Sequence, residues 1–247
     1  MGVLDIPAPL FAWLDERMGQ LVSPGVRLVL WGVIGAAVSM GLYWLISPQE
    51  RIKRNAAKSI EARRALDAYE GDFAGAWPQI REMLRLSFKQ IGIVILPVVI
   101  ASLPVLCLLV WMSTVYGYYF PNPPSSAEVH SFPKQHRARW MNDDNANDAS
   151  RPLVPRIEVL DDRGHTANII PLPLPVPTVH KYQWWNVLFG NPVGYLPDNA
   201  KIDRVEIDLP EQEFLSFGPS WLRSWEFLFL SVVLIVSIAI KVTFRIK

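Results

Sequence analysis

The sequence predicts an α-helical membrane protein with three transmembrane helices. A cytoplasmic helical hairpin is expected between the first and second, and a small β-rich extracytoplasmic domain between the second and third. Three observations carry this expectation. Of the 247 residues, 51% are hydrophobic and only 19% charged, below the quarter or so usual in soluble domains. The apolar residues gather into three long runs. Most of the lysines and arginines near those runs fall in a single connecting segment. The formal net charge is +1, so overall charge points to no DNA or other polyanionic partner.

Residues 1–25 hold Leu10, Phe11, Trp13, Leu14, Met18, Leu21 and Val22 at roughly helical spacing, with Asp15, Glu16 and Gln20 among them. This reads as an amphipathic helix, either on the outer membrane surface or packed against the external domain. A basic region followed by an apolar stretch is missing here, so no cleavable signal peptide is expected. Residues 26–46, with Arg27 at the edge, form the first span. Residues 91–119 form the second, and the third runs from near Trp221 to Ile240 within 219–247. About 20 apolar residues suffice to cross a bilayer as a helix.

The 47–90 segment carries Arg51, Lys53, Arg54, Lys58, Arg63, Arg64, Arg81, Arg85 and Lys89, and the C-terminal tail adds Lys241, Arg245 and Lys247. Cytoplasmic loops are enriched in such residues. The expected topology therefore has the N-terminus outside, the 47–90 segment and the C-terminus inside, and residues 120–218 outside. The expected location is a bacterial inner membrane. Trp31, Trp111, Trp221 and Trp225 lie toward outer span ends and Trp44 toward an inner one, the distribution of an interfacial aromatic belt.

Within 47–90, Ser47-Pro48-Gln49-Glu50 reads as a helix start with a capping box. That helix is expected to stop at Gly71, and a second to start near Trp77-Pro78 and run into the second span. Ile52, Ala56 and Ile60 make a weak apolar stripe on the first arm, answered by Ile80, Leu84, Phe88 and Ile91 on the second. The two form an antiparallel hairpin. Arg51, Arg54 and Lys58 line the opposite face, suited to topology, acidic headgroups, ribosomal RNA or a nascent chain.

Inside the spans, Gly32, Gly35, Ala36, Ser39 and Gly41 make one side of the first small, which favours close helix approach. Pro97 and Pro104 remove backbone bonds on roughly one face of the second and can open a wet groove. Gln90, Ser102, Ser113, Ser231 and Ser237, with Thr114, are its candidate lining. No ionisable residue falls at mid-span, which argues against a proton or ion pathway.

The 120–218 segment has strand candidates at 155–160, closing on the turn "DDRG", and at 202–209, where Val205, Ile207 and Leu209 alternate. "IIPLPLPVPTV" can serve only at sheet edges, because proline donates no ladder bond. "PNPPSS" and "MNDDNANDASRP" read as linker and loop. His130, His136, His165 and His180 all fall here, at spacings matching no standard metal pattern, and Cys107 stands alone. No nucleophile signature, phosphate loop or zinc-protease helix occurs. An enzyme, a cofactor and a metal are therefore not expected. Trp184-Trp185, followed by "GNPVGYLP", reads as hydrophobic core or as a partner-binding loop.

The order of spans, together with "SPQERIKRNAAKSIEARRAL", the "EGD" of the hairpin turn and "MLRLSFKQIGIVILPVVIASLPVLCLLVWM", resembles the YidC-type insertase superfamily. The likeness is to its minimal three-span archaeal and endoplasmic-reticulum members. It covers about residues 26–119 and 219–247. The resemblance implies an insertase or membrane chaperone, with a hydrophilic groove between the spans and a hairpin that receives client membrane proteins or ribosomes. The alternative is a non-catalytic scaffold subunit that docks stable partners through the 120–218 domain.

Overall fold

The computed structural model describes residues 2–122, 125–134, 137–141, 154–160 and 165–245. His136, Lys247, the "DDRG" turn, the "MNDDNANDASRP" loop after its Met141 and part of "PNPPSS" lie outside them. The described residues are 57% helical, with three helices long and apolar enough to cross a membrane and a small β region. It divides into two compact units, Met1–Leu28 with Cys107–Leu228, and Val29–Leu106 with Phe229–Lys247.

The second unit takes most of three helices, α2 (Pro24–Ile46), α4 (Phe73–Val115) and α6 (Trp225–Thr243), and the whole of α3 (Gln49–Asp67). On α2, Trp31, Gly32, Gly35 and Ala36 are buried. Gly32 sits where a Cβ would lie 2.8 Å from Val232 Cγ1 of α6, so only glycine permits this approach. Gly41 is open to its surroundings and does not belong to the small-residue face. Ser39 Oγ donates to the Ala101 carbonyl of α4.

At 43 residues α4 is continuous through Pro78, Pro97 and Pro104. At 1.5 Å rise per residue it is about 65 Å long, roughly twice a ~30 Å hydrocarbon core. The arm and the expected second span are therefore one helix, ending at Val115 rather than Tyr119. Pro97 is buried and Pro104 half-buried. These prolines sit on the packed side, so the backbone bonds they remove face protein, and the helix carries on.

The hairpin is present, but its start and its seam differ from the expected ones. Pro48 is the N-cap of α3 and no side chain caps it; the Ser47 hydroxyl is buried without a hydrogen-bond partner. Proline at the N-cap leaves Ser47 one position too early to reach the first-turn amides. α3 ends at Asp67, and α4 begins at Phe73 rather than near Trp77, because Asp72 caps it: its Oδ1 accepts from the Gly75 amide at 3.1 Å. The packed residues of α3 are Ile52 and Asn55, with Ser59 and Ala62 half-buried, while Ala56 and Ile60 are exposed. On α4 the packed residue is Leu86, flanked by Met83 and Gln90, and Leu84, Phe88 and Ile91 point outward. Apolarity alone does not locate the seam, which runs through the amides of Asn55 and Gln90.

In the first unit α1 (Ala8–Gly19) follows a single 3-10 turn, Val3–Asp5. The 120–218 segment builds two three-stranded antiparallel sheets. Strands β1 (Glu128–Phe132), β6 (Arg204–Asp208) and β5 (Thr178–His180) form one, in the order β1-β6-β5. Strands β2 (Arg137–Met141), β3 (Arg156–Leu160) and β4 (Thr166–Pro171) form the other as a meander. One core takes Ile157, Val159 and Ile170 from the meander and Val179, Val205 and Ile207 from the other sheet. Both expected strands are found, at β3 and β6. β4 and β5, which flank the proline run, are edge strands as the missing donors require.

The short helix α5 (Ser220–Arg223) precedes α6 but does not join it, since Ser224 is extended (ψ 157°). The third apolar helix thus begins at Trp225 and not at Trp221. Trp31 (1% exposed), Trp111 and Trp225 are buried in protein, so they do not form part of an interfacial belt; Trp44 and Trp221 are exposed.

Candidate functional site

In the helical unit the polar centre is Asn55. It is 4% exposed, and its Nδ2 donates to the Leu86 carbonyl and to Gln90 Oε1, both at 2.9 Å. Asparagine in a helix interior has low intrinsic propensity, so the sequence keeps it here for the cross-helix bond. An amide left unsatisfied in such a place costs about 1–3 kcal/mol. The pair fixes register between α3 and α4 while Ile52 and Leu86 supply the apolar burial, about 1.5–3 kcal/mol each.

The other face of α4 is unusual for its arm. Phe73, Trp77, Leu84, Phe88 (71% exposed), Ile91 and Ile95 are all exposed. Steps of 3, 4 and 7 hold them on one side of a 3.6-residue helix. This apolar track runs unbroken from the hairpin tip into the apolar part of the helix. On α3, Arg51, Arg54 and Lys58 are exposed on a common face. Arg54 Nε donates to the Glu50 carbonyl at 3.3 Å, and Lys53 pairs with Glu50 at 3.0 Å.

The candidate groove residues bond locally or stand on separate helix faces. Gln90 belongs to the seam with Asn55. Ser102 Oγ donates to the Val99 carbonyl of its own helix at 2.8 Å, and Ser113 does the same to Val110 at 2.8 Å. Ser231 and Ser237 are half-buried on α6, six positions apart and so on different faces.

In the other unit a charged knot joins α1, the start of α2 and the end of α4. Asp15 is 5% exposed. Its Oδ2 accepts from Arg27 Nη1 and its Oδ1 from the Tyr116 hydroxyl, and the guanidinium lies 5.8 Å from the Tyr116 ring centroid. Phe11 packs on Trp111 at 5.7 Å and Trp111 on Tyr116 at 6.0 Å, ring to ring. α1 thus turns Phe11, Leu14 and Met18 inward with Asp15, and exposes Leu10 and Trp13. In the sequence Asp15 reads as part of the polar face of α1 and Arg27 as the edge of a span. The signal that this reading passes over is an acid within an apolar stripe facing a cation at the mouth of a span.

Trp184 (76% exposed), Trp185, Val187 and Leu188 form an exposed apolar turn. The core reading of Trp184-Trp185 is therefore replaced by a surface one. The turn is held from below: Leu4 N donates to the Leu188 carbonyl at 2.8 Å, and Gly190 N to Asp5 Oδ2 at 2.7 Å.

Glu158 on β3 is buried and receives the Thr166 hydroxyl and the Arg139 guanidinium, the latter at 2.6 Å. These bonds, Thr166 first, hold its carboxyl below the usual carboxylate range. On the exposed face of β1 and β6, Glu128, His130 and Asp208 place one ligand atom each within 4.8 Å of one another. Histidine spacing alone could not find this trio, because its third member comes from the paired strand.

No protein-family model, curated protein or solved structure matches the chain.

Proposed function

We propose that the chain is an insertase-like membrane chaperone whose α3–α4 hairpin receives apolar client segments on the cytoplasmic side and passes them along α4 toward the bilayer. The observation that carries this reading is the exposed apolar track Phe73–Trp77–Leu84–Phe88–Ile91–Ile95. With the span beginning near Ile91, the arm before it presents large apolar side chains to water, which single soluble helices seldom do without a partner. The rigid Asn55–Gln90 seam keeps that track facing outward. The basic face of Arg51, Arg54 and Lys58 suits acidic headgroups or a ribosome. The resemblance to minimal YidC-type proteins points the same way.

Depletion of the protein, followed by quantitative proteomics of the membrane, tests the reading. A defined set of multi-pass proteins falls severalfold, and chain carrying Leu84→Ser with Phe88→Ser does not restore them. Unchanged membrane composition after depletion contradicts it.

A second reading has its own observation, the exposed turn at Trp184 and Trp185. A scaffold docks a stable extracytoplasmic partner through such a surface. Purification in mild detergent then yields a stoichiometric partner that is lost with Trp184→Ala, whereas a chaperone yields a heterogeneous, transient set.

A further inference from the structure

Residues 182–197 hold no acidic or basic side chain, although Lys181 and Asp198 flank them directly. Within this run Trp184, Trp185, Val187, Leu188 and Phe189 are all exposed. The N-terminal 3-10 turn packs against it: the Leu4 amide donates to the Leu188 carbonyl, and a Cβ on Gly2 would lie 2.5 Å from the Leu188 carbonyl carbon. Val3 and Ile6, on either side of that contact, are exposed as well.

The backbone of the turn is closed on itself. The Asn186 amide donates to the Gln183 carbonyl, and the Leu188 and Phe189 amides donate to the Trp185 carbonyl. The Asn186 side chain accepts from the Gln183 amide and donates to the Phe189 carbonyl, while the Gly190 amide reaches Asp5. Backbone groups satisfied in this way leave water at little cost, as apolar surroundings require.

The place of the turn relative to a bilayer follows from α6. That helix has 19 residues, about 28 Å at 1.5 Å each, against a hydrocarbon core of ~30 Å. It therefore crosses only with Trp225 at one edge of the core, and Glu226 and Lys241 bound its uncharged stretch. Asn186, Phe189 and Gly190 line the same cavity as Trp225 and Glu226. The exposed turn thus stands beside the point where α6 enters the bilayer.

We propose that this turn is an interfacial anchor. Trp184, Trp185, Val187, Leu188 and Phe189 enter the headgroup–acyl boundary of the leaflet nearest the β sheets. Tryptophan favours that zone because its ring is apolar with one polar edge. A protein partner is the less fitting occupant, since this run offers no charge to orient one. The partner is the lipid surface itself, whatever its headgroup. The hairpin takes no part in the anchor, but the scaffold reading would need the same turn for a protein.

The full chain with Cys107→Ser is reconstituted in phosphatidylcholine vesicles, with a nitroxide on a single cysteine replacing Val187 or Asp198. Collision with oxygen, which concentrates in lipid, is compared with collision with a water-soluble nickel chelate. The oxygen-to-nickel ratio at Val187 exceeds that at Asp198 severalfold, and added phosphatidylglycerol does not raise it. Trp184→Asp with Leu188→Asp lowers the ratio at Val187 toward the Asp198 value. Both replaced side chains are exposed, and an unchanged melting temperature in detergent confirms that the variant folds. Equal ratios at the two positions overturn the proposal, since the turn then stands in water, free for a protein partner. Low collision with both reagents at Val187 overturns it too, because protein rather than lipid then covers the turn. So does a ratio that is high only with the anionic lipid, or one that survives the two carboxylates.

Discussion

At the scale of single residues, most of the specificity lies in a few buried polar groups. Asp15 and Arg27 are both largely buried and hydrogen-bonded, and removing one partner of such a pair costs about 3–5 kcal/mol because the other charge is stranded. Asp15→Leu should therefore lower the detergent melting temperature sharply. Asp15→Leu with Arg27→Met should recover much of that loss, which a thermal denaturation series checks. Asn55→Ala should loosen the hairpin by roughly 1–3 kcal/mol, and amide exchange within α3 should rise while that of the β sheets does not. Glu158 gives a pH signature. Its folded carboxyl sits below its unfolded value, so its contribution is fully present above the unfolded value and is lost as pH falls through the folded one. In melts from pH 7 down to pH 3, the stability difference between wild type and Glu158→Gln should shrink toward the acid end.

At the scale of elements, the three apolar helices and the hairpin were legible because their signals are long and repeated. β3, β6 and the edge position of the prolines were legible for a local reason, alternation in one case and missing amide donors in the other. The hairpin seam was not. Ile60, Leu84 and Phe88 look like packing residues, yet they are exposed, while Asn55 and Gln90 look like surface residues and meet at the centre. Apolarity does not assign a face when a lipid-facing side is as apolar as a core. The same ambiguity sent Trp31, Trp111 and Trp225 to an aromatic belt, although each is buried. β1 and β2 were missed because Glu128–Phe132 and Arg137–Met141 carry polar residues on their outer faces and only five residues each. Gly32 was legible as a small residue, but not as the contact with Val232. Gly32→Ala should cost about 1–3 kcal/mol through overpacking, and Val232→Ala in the same chain should relieve it; urea or detergent-titration unfolding of the three variants checks this.

At the scale of the whole molecule, the distribution of lysine and arginine predicts a cytoplasmic hairpin and C-terminus with an external β domain. Cys107 is the only cysteine, so a Cys107→Ser background allows single cysteines at Arg63 and Asp198. A membrane-impermeant maleimide applied to spheroplasts should label the second and spare the first. The chaperone reading depends on that topology and on the exposed track of α4. Site-specific photocrosslinking during synthesis of a multi-pass protein tests both together, with a photoreactive residue at Phe88 on the track and at Leu86 on the packed side. Nascent-chain adducts should form at Phe88 and be absent at Leu86. Adducts missing at Phe88, or equal at the two positions, would contradict a client path along this helix.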